Sequence, residues 1–150
     1  FFLLQTLSNT LKKQNAMSWN QYIDNLIAQS SDNCDKACII GFDGSQWTTK
    51  DHPSNLNLSA QEIATITRIL KNRNDPTEFQ SNGITVEGTK YTFLRQQENM
   101  ILGKKKDHGA VTFQLADKCI VIGHTKEGSQ QGNVNKGVST VATYLKEAGY

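Results

Sequence analysis

Cysteine is scarce in this 150-residue chain, with only Cys34, Cys38 and Cys119. An odd number without regular spacing excludes a secreted disulfide framework and fits a reducing cytosol, with the thiols buried or half-buried and free. Cys34 and Cys38 with Cys119 and His124 do not have the spacing of zinc fingers or ribbons, so no metal is expected. Long apolar runs are also missing, and the longest is far too short to cross a bilayer. So is an excess of either charge. Lys12 and Lys13 are the only charged residues before Met17, which leaves 14 basic and 14 acidic residues from Met17 to Tyr150. A neutral body argues against a general nucleic-acid binder. The chain has no phosphate-binding P-loop, no G-x-S-x-G and no H-E-x-x-H. His52, His108 and His124 stand in separate segments with no obvious nucleophile beside them. One catalytic reading remains, with Cys119 as nucleophile and His124 as base. The two lie five residues apart across a strand end, where they are not expected to face each other, and Cys119 reads as core. Neither enzymatic activity nor a cofactor is expected.

What is present is ordinary for one globular domain. A hydrophobic fraction of 37% and a charged fraction of 20% are not those of a disordered chain. Residues 1–16 read as an extension, either a cloning or translation artefact or a loosely attached tail, with an amphipathic anchor as the weaker alternative. Phe1-Phe2-Leu3-Leu4 is too short for a secretory core, its basic residues follow it instead of preceding it, and Met17-Ser18 makes a natural start. The domain is therefore 17–150.

Its first helix reads from Ser18, with Gln21 completing a capping box. Trp19, Tyr22, Ile23, Leu26 and Ile27 form one apolar stripe at helical spacing. Such a stripe is either plain core or, at its aromatic end, a platform that docks proline-rich segments. Ala37–Phe42 reads as a buried strand, Asp43-Gly44 as a tight turn, and Gln46–Thr49 as the return strand. Ser59 and Glu62 predict a second capping box, opening a helix whose core face is Ile63, Ile66, Ile69 and Leu70. Turns at Asn82-Gly83 and Glu87-Gly88 then punctuate short strands over 84–86, 90–94, 100–102, 111–115 and 119–122. Val134, Val138, Val141 and Leu145 make the core stripe of a last helix, with Asn133 or Asn135 as cap. The fold class is α+β, a mostly antiparallel sheet with a helix at each terminus.

Several stretches, in order, resemble a profilin: Met17-Ser18-Trp19-Asn20-Gln21-Tyr22-Ile23-Asp24, Gln80-Ser81-Asn82-Gly83-Ile84, Phe93-Leu94-Arg95 and Tyr144-Leu145-Lys146-Glu147-Ala148-Gly149-Tyr150. The resemblance runs from Met17 to Tyr150. It implies a seven-stranded sheet with both terminal helices on one face and a further helix on the other. It also implies a protein of the cytoplasm and cytoskeleton that binds monomeric actin, regulates polymerisation and nucleotide exchange on actin, and binds proline-rich proteins. Carried over by position, the polyproline groove uses Trp19, Tyr22, Trp47, Tyr144, Leu145 and Tyr150. Stacked aromatics suit a preformed polyproline helix at little entropic cost.

The actin face implied by the resemblance uses Arg95, Lys104, Gly132, Asn135, Lys136 and Thr140. Phosphatidylinositol bisphosphate at a membrane surface, the weakest implication, falls on Arg95, Lys104, Lys105, Lys106 and Lys136. Lys104–Lys106 also reads as a plain solvated charged turn. Gln130 stands where some relatives have His, and Thr140 where some are acidic. These departures leave a second reading open, a divergent domain that keeps the groove and binds actin weakly or not at all.

Overall fold

The computed structural model describes residues 19–73 and 75–150, so the expected Ser18 capping box and the 1–16 extension lie outside the described residues. Trp19 and Asn20 form a 3₁₀ turn leading into α1 (Gln21–Ala28). Asn20 does not cap that helix through its side chain. Its amide instead donates to Thr49 Oγ1 at 3.1 Å and accepts from the Thr49 N–H at 2.9 Å, clipping α1 to the loop beyond the first strand.

The remaining elements are β1 (Cys34–Gly41), α2 (Ala60–Leu70), α3 (Thr77–Asn82), β2 (Ile84–Val86), β3 (Thr89–Gln97), β4 (Met100–Lys105), β5 (Gly109–Leu115), β6 (Cys119–Thr125) and α4 (Gln131–Glu147). The strands make one antiparallel sheet of six, in the order β1-β6-β5-β4-β3-β2. Six strands stand where the resemblance implied seven, because Gln46–Thr49 never becomes a strand. It makes a single bridge, Ile40 to Gln46, and the Ile39 N–H is taken by the Thr48 hydroxyl instead of a backbone carbonyl. No described helix is long and apolar enough to cross a membrane.

Two apolar layers sandwich the sheet. Alternate residues such as Ile40, Val111, Phe113, Ile120 and Ile122 pack with Ile63, Ile66 and Leu70 of α2 and Phe79 of α3. Their neighbours Ile39, Cys119 and Val121 pack with Ile23 and Leu26 of α1 and Val134, Val138 and Leu145 of α4. The period of two in the strands and 3.6 in the helices supplies both layers. The terminal helices thus share one face, and α2 lies on the other.

Local sequence explains most of the boundaries. The Ser59–Glu62 capping box forms as expected, with Glu62 N to Ser59 Oγ at 3.1 Å and Ser59 N to Glu62 Oε1 at 3.0 Å. Glu87 and Gly88 both have positive φ, 53° and 79°, which closes the two-residue hairpin between β2 and β3. The Glu62 carboxylate also accepts from the N–H groups of that turn, Glu87 at 3.0 Å and Gly88 at 2.8 Å. One side chain therefore caps a helix and pins a hairpin. Glu62→Ala is expected to cost about 1–3 kcal/mol, the loss of a cap plus stranded donors. Urea unfolding checks it, and a midpoint equal to the parent's would contradict it.

Two expectations fail. Asn82-Gly83 is not a free turn: it ends the short α3, with Gly83 at φ 77° as its C-cap. Nor does Asn133 or Asn135 cap α4, which begins at Gln131 behind Gln130. The Gln130 N–H is met from a distance by Asn33 Oδ1 at 2.9 Å, and the Asn135 amide oxygen accepts from Thr112 Oγ1 at 2.5 Å.

Candidate functional site

Five aromatic rings from three segments meet where the start of the α1 segment and the end of α4 run side by side. Trp19 lies 5.6 Å from Tyr22, 4.6 Å from Trp47 and 5.1 Å from Tyr150, centroid to centroid. Trp47 stands edge-on to Tyr150 at 5.7 Å, and Tyr22 is 6.2 Å from Tyr144. Tilted and edge-to-face pairs at these separations are attractive. Tyr22 and Tyr144 are each 6% exposed and form the floor, while Trp19, Trp47 and Tyr150 are half-buried and form the open part.

Each ring is aimed by a local device. Trp47 sits over Gly41, where a Cβ would come within 2.7 Å of the indole nitrogen, and its N–H donates to Ser45 Oγ at 3.0 Å. Tyr150 is turned back by a Schellman close of α4. Gly149 adopts φ 99° and donates to the Lys146 carbonyl at 3.1 Å, and the Tyr150 N–H reaches the Leu145 carbonyl at 2.8 Å. The Tyr150 carbonyl oxygen then accepts from the Lys118 N–H, anchoring the terminus to the β5–β6 turn. The helices come close because Gly137 of α4 faces the Leu26 carbonyl and the Ser30 hydroxyl of the α1 segment. Among the described residues nothing accepts from the Trp19 indole N–H.

The structure brings together Trp19, Tyr22, Trp47, Tyr144 and Tyr150 as the sequence reading proposed, but not Leu145. That side chain is fully buried against the sheet. Ser45, Gly41 and the Asn20–Thr49 clip escaped the sequence reading. Nothing in the local pattern singles them out.

The second group of expected residues is divided between the sheet, with Arg95 on β3 and Lys104 on β4, and α4, which carries Gly132, Asn135, Lys136 and Thr140. A bulge in β3 turns Arg95 to the α4 side of the sheet. Phe93 pairs with Gly103 and Arg95 with Leu102, so Leu94 is an extra residue between them. Without it Phe93 and Arg95 would share a face; with it Phe93 packs on the α2 layer and Arg95 points the other way. Arg95, Leu102, Thr112 and Gly123 then form one row across four strands. The row meets α4 through the Thr112–Asn135 bond and the contact of Gly123 with Val134 and Val138. Arg95, Lys104, Gly132, Lys136 and Thr140 are all exposed, and Asn135 is half-buried. Leu94, 47% exposed, is the one large exposed hydrophobic side chain among the described residues. Lys104 is exposed and Lys105 half-buried at the end of β4, and Lys106 is exposed on the β4–β5 turn.

The catalytic and metal readings find no geometry. Cys119 and His124 occupy opposite faces of β6, since Cys119 packs under α1 and α4 while His124 contacts Tyr91 of the other layer. Burial pushes the Cys34 thiol up to about 11 and that of Cys119 to about 12, and raises Cys38 as well. None is a thiolate at neutral pH. Among the described residues no cluster of His, Cys, Asp and Glu is placed to hold a metal ion.

Comparison with known proteins agrees with this architecture. A sequence model of the profilin family matches residues 17–150. A profilin of the sea urchin Strongylocentrotus purpuratus is 52% identical over 139 residues, covering 87% of this chain and 97% of its own. The crystal structure of Acanthamoeba castellanii profilin II is 30% identical, with a TM-score of 0.73 over 88% of this chain and 99% of that one. Two more distant structures share the fold. Mouse profilin IIa, solved with a double repeat from an FH1 domain, is 24% identical, with a TM-score of 0.67 over 88% of this chain and 99% of its own. LokiProfilin2, solved with rabbit actin, is 20% identical, with a TM-score of 0.68 over 85% of this chain and 94% of its own. With the match extending from Met17 to Tyr150 over a profilin fold, the chain belongs to the profilin family.

Proposed function

We propose that this protein binds monomeric actin on the Arg95–Lys104–Lys136 face and proline-rich ligands in the aromatic groove, and so delivers actin to proline-rich assembly factors. The observation that carries this reading is the convergence of Trp19, Tyr22, Trp47, Tyr144 and Tyr150 at the junction of the terminal helices. A polyproline helix presents rings to stack and carbonyls without intramolecular partners, and the Trp19 indole N–H is placed to donate to one. Support also comes from the mouse profilin IIa complex with an FH1 repeat and the LokiProfilin2 complex with actin.

Actin is acidic, so Arg95, Lys104 and Lys136 steer the encounter while Leu94 and the half-buried Asn135 supply contact area. Acceleration of nucleotide exchange on actin would follow from binding alone, without a catalytic group in this chain. Phosphatidylinositol bisphosphate would use Arg95, Lys104, Lys105, Lys106 and Lys136. Arg95, Lys104 and Lys136 belong to both sets, so it would compete with actin, weakly and in a salt-dependent way. The place of action is the cytoplasm and the cytoskeleton.

The test is Arg95→Glu. It is expected to weaken binding to purified monomeric actin at least about tenfold, roughly 1.4 kcal/mol. Its affinity for a polyproline peptide should stay that of the parent. Parent protein that leaves actin polymerisation unaltered while binding the peptide would favour the divergent, groove-only reading suggested by Gln130 and Thr140.

A further inference from the structure

Two histidines of this chain are paired to aspartates, and their second nitrogens differ. His52 Nε2 meets Asp24 Oδ1 at 2.7 Å, and its Nδ1 accepts from the Ser54 N–H at 3.0 Å. That ring is complete as the neutral tautomer, with one proton and one lone pair used. His124 is different. Its Nδ1 meets Asp35 Oδ1 at 2.5 Å and its Nε2 meets the carbonyl of His108 at 2.7 Å. A carboxylate and a carbonyl both accept, so His124 satisfies them only with a proton on each nitrogen.

Its setting is built for that state. A bulge in β1 between Cys34 and Lys36 makes Asp35 the extra residue and turns its carboxylate onto β6. The other charged and titratable groups facing the ring are few. Lys36 comes from β1, where it pairs with Glu87 of the β2–β3 turn at 3.0 Å. Tyr91 of β3 stands edge-on at 6.1 Å, and His108 comes from the β4–β5 turn. A cavity of about 190 Å³ opens beside these groups and gives solvent a path to the pair. Lys126 and the thiol of Cys34 lie beyond Asp35. The ring itself is 15% exposed.

We infer that His124 is a proton-operated clasp on the β4–β5 turn. As imidazolium it holds Asp35 and the His108 carbonyl together, fixing the turn that carries Lys106 and follows Lys104 and Lys105 at the end of β4. When it loses a proton it keeps the charge-assisted bond from Nδ1–H to Asp35. Nε2 then turns a lone pair toward the His108 carbonyl, and that end of the clasp opens. Burial alone lowers the imidazole pKa, but the bonds to Asp35 and the His108 carbonyl outweigh it, so the value lies above the ordinary 6.5. Burial likewise raises Asp35, and the bond to His124 more than reverses it. A raised folded pKa fixes the sign: the clasp is closed well below pH 6.5 and opens as pH rises through the folded value. The effect on the partner rests on the reading of this turn as part of the actin face.

The test follows the His124 ring nitrogens by NMR between pH 5.5 and 8.5 in the full chain. Amide-exchange protection factors of 105–109 are measured in the same samples. His124 is expected to be doubly protonated at pH 6.5, and protection in the turn to fall at least about fivefold with the midpoint of the ring. Asp35→Asn, on a side chain 39% exposed, should lower that midpoint and shift the fall in protection with it. A ring already neutral at pH 6.5, or protection that ignores its titration, overturns the clasp. Monomeric actin supplies the second arm, with affinity expected to weaken about threefold from pH 6.5 to 8 in the parent and less in Asp35→Asn. An NMR clasp with pH dependence of actin affinity equal in parent and variant would remove the turn from the actin face and leave the clasp standing.

Discussion

Trp19→Ala is expected to weaken binding of a polyproline peptide by at least about 30-fold, the roughly 2 kcal/mol that a central aromatic anchor contributes. The size follows from position. Trp19 touches Tyr22, Trp47 and Tyr150, so its loss removes a stacking surface and leaves the other two exposed rings without their common neighbour. The fold should survive, because Trp19 is half-buried and precedes α1, outside the fully buried layer of Ile23, Leu26 and Val138. Trp19→Phe keeps a ring and loses the indole donor, and should lie between the parent and the alanine variant. Tryptophan fluorescence is a direct readout, since both indoles of the chain, Trp19 and Trp47, are in the cluster. An alanine variant with unchanged affinity and a native circular dichroism spectrum would refute the groove.

The second large effect is expected at a residue that touches no ligand. A Cβ at Gly137 would lie 2.2 Å from the Ser30 hydroxyl oxygen and 2.9 Å from the Leu26 carbonyl oxygen. The serine is also held, with its hydroxyl donating to that carbonyl at 2.7 Å. Gly137→Val therefore has to push α1 and α4 apart, at a cost of about 2–3 kcal/mol and about 5–10 °C in Tm. Tyr22 and Tyr144 lie on the separated helices, so peptide affinity should fall with stability although no groove side chain is changed. Calorimetric melting together with peptide titration checks both. Valine tolerated at parental Tm would show that the helix contact is looser than these distances require.

What could be read in the sequence was what is decided over a few residues. Ser59 and Glu62 cap α2 because a capping box needs only a four-residue span, and Glu87-Gly88 closes its hairpin for a similarly local reason. The strand over 111–115 followed from alternation, and that over 84–86 from the turn residues flanking it. What depends on register between distant strands was hidden. The bulges that turn Asp35 and Arg95 leave no local trace, and neither does the bond by which Asn33 meets the Gln130 N–H ahead of α4. The six-residue α3 is too short for periodicity to show, so Asn82-Gly83 looked like a turn. Helical spacing offered Trp19 and Tyr22 as a docking platform, and the resemblance added Trp47, Tyr144, Leu145 and Tyr150. Leu145 is fully buried in the core beside them.

Actin and proline-rich ligands take two faces at different ends of α4. Lys136 and Tyr144 are eight residues apart on one helix, about 12 Å along its axis, and Arg95 reaches the first of them only across the β3–β5 row. The decisive measurement is the affinity of the full chain for a polyproline peptide, titrated by calorimetry with and without saturating monomeric actin. Two independent faces give a ternary complex and peptide affinities equal within about twofold. Loss of peptide binding in the presence of actin would mean that the faces overlap, and that the chain cannot hand actin to a proline-rich partner.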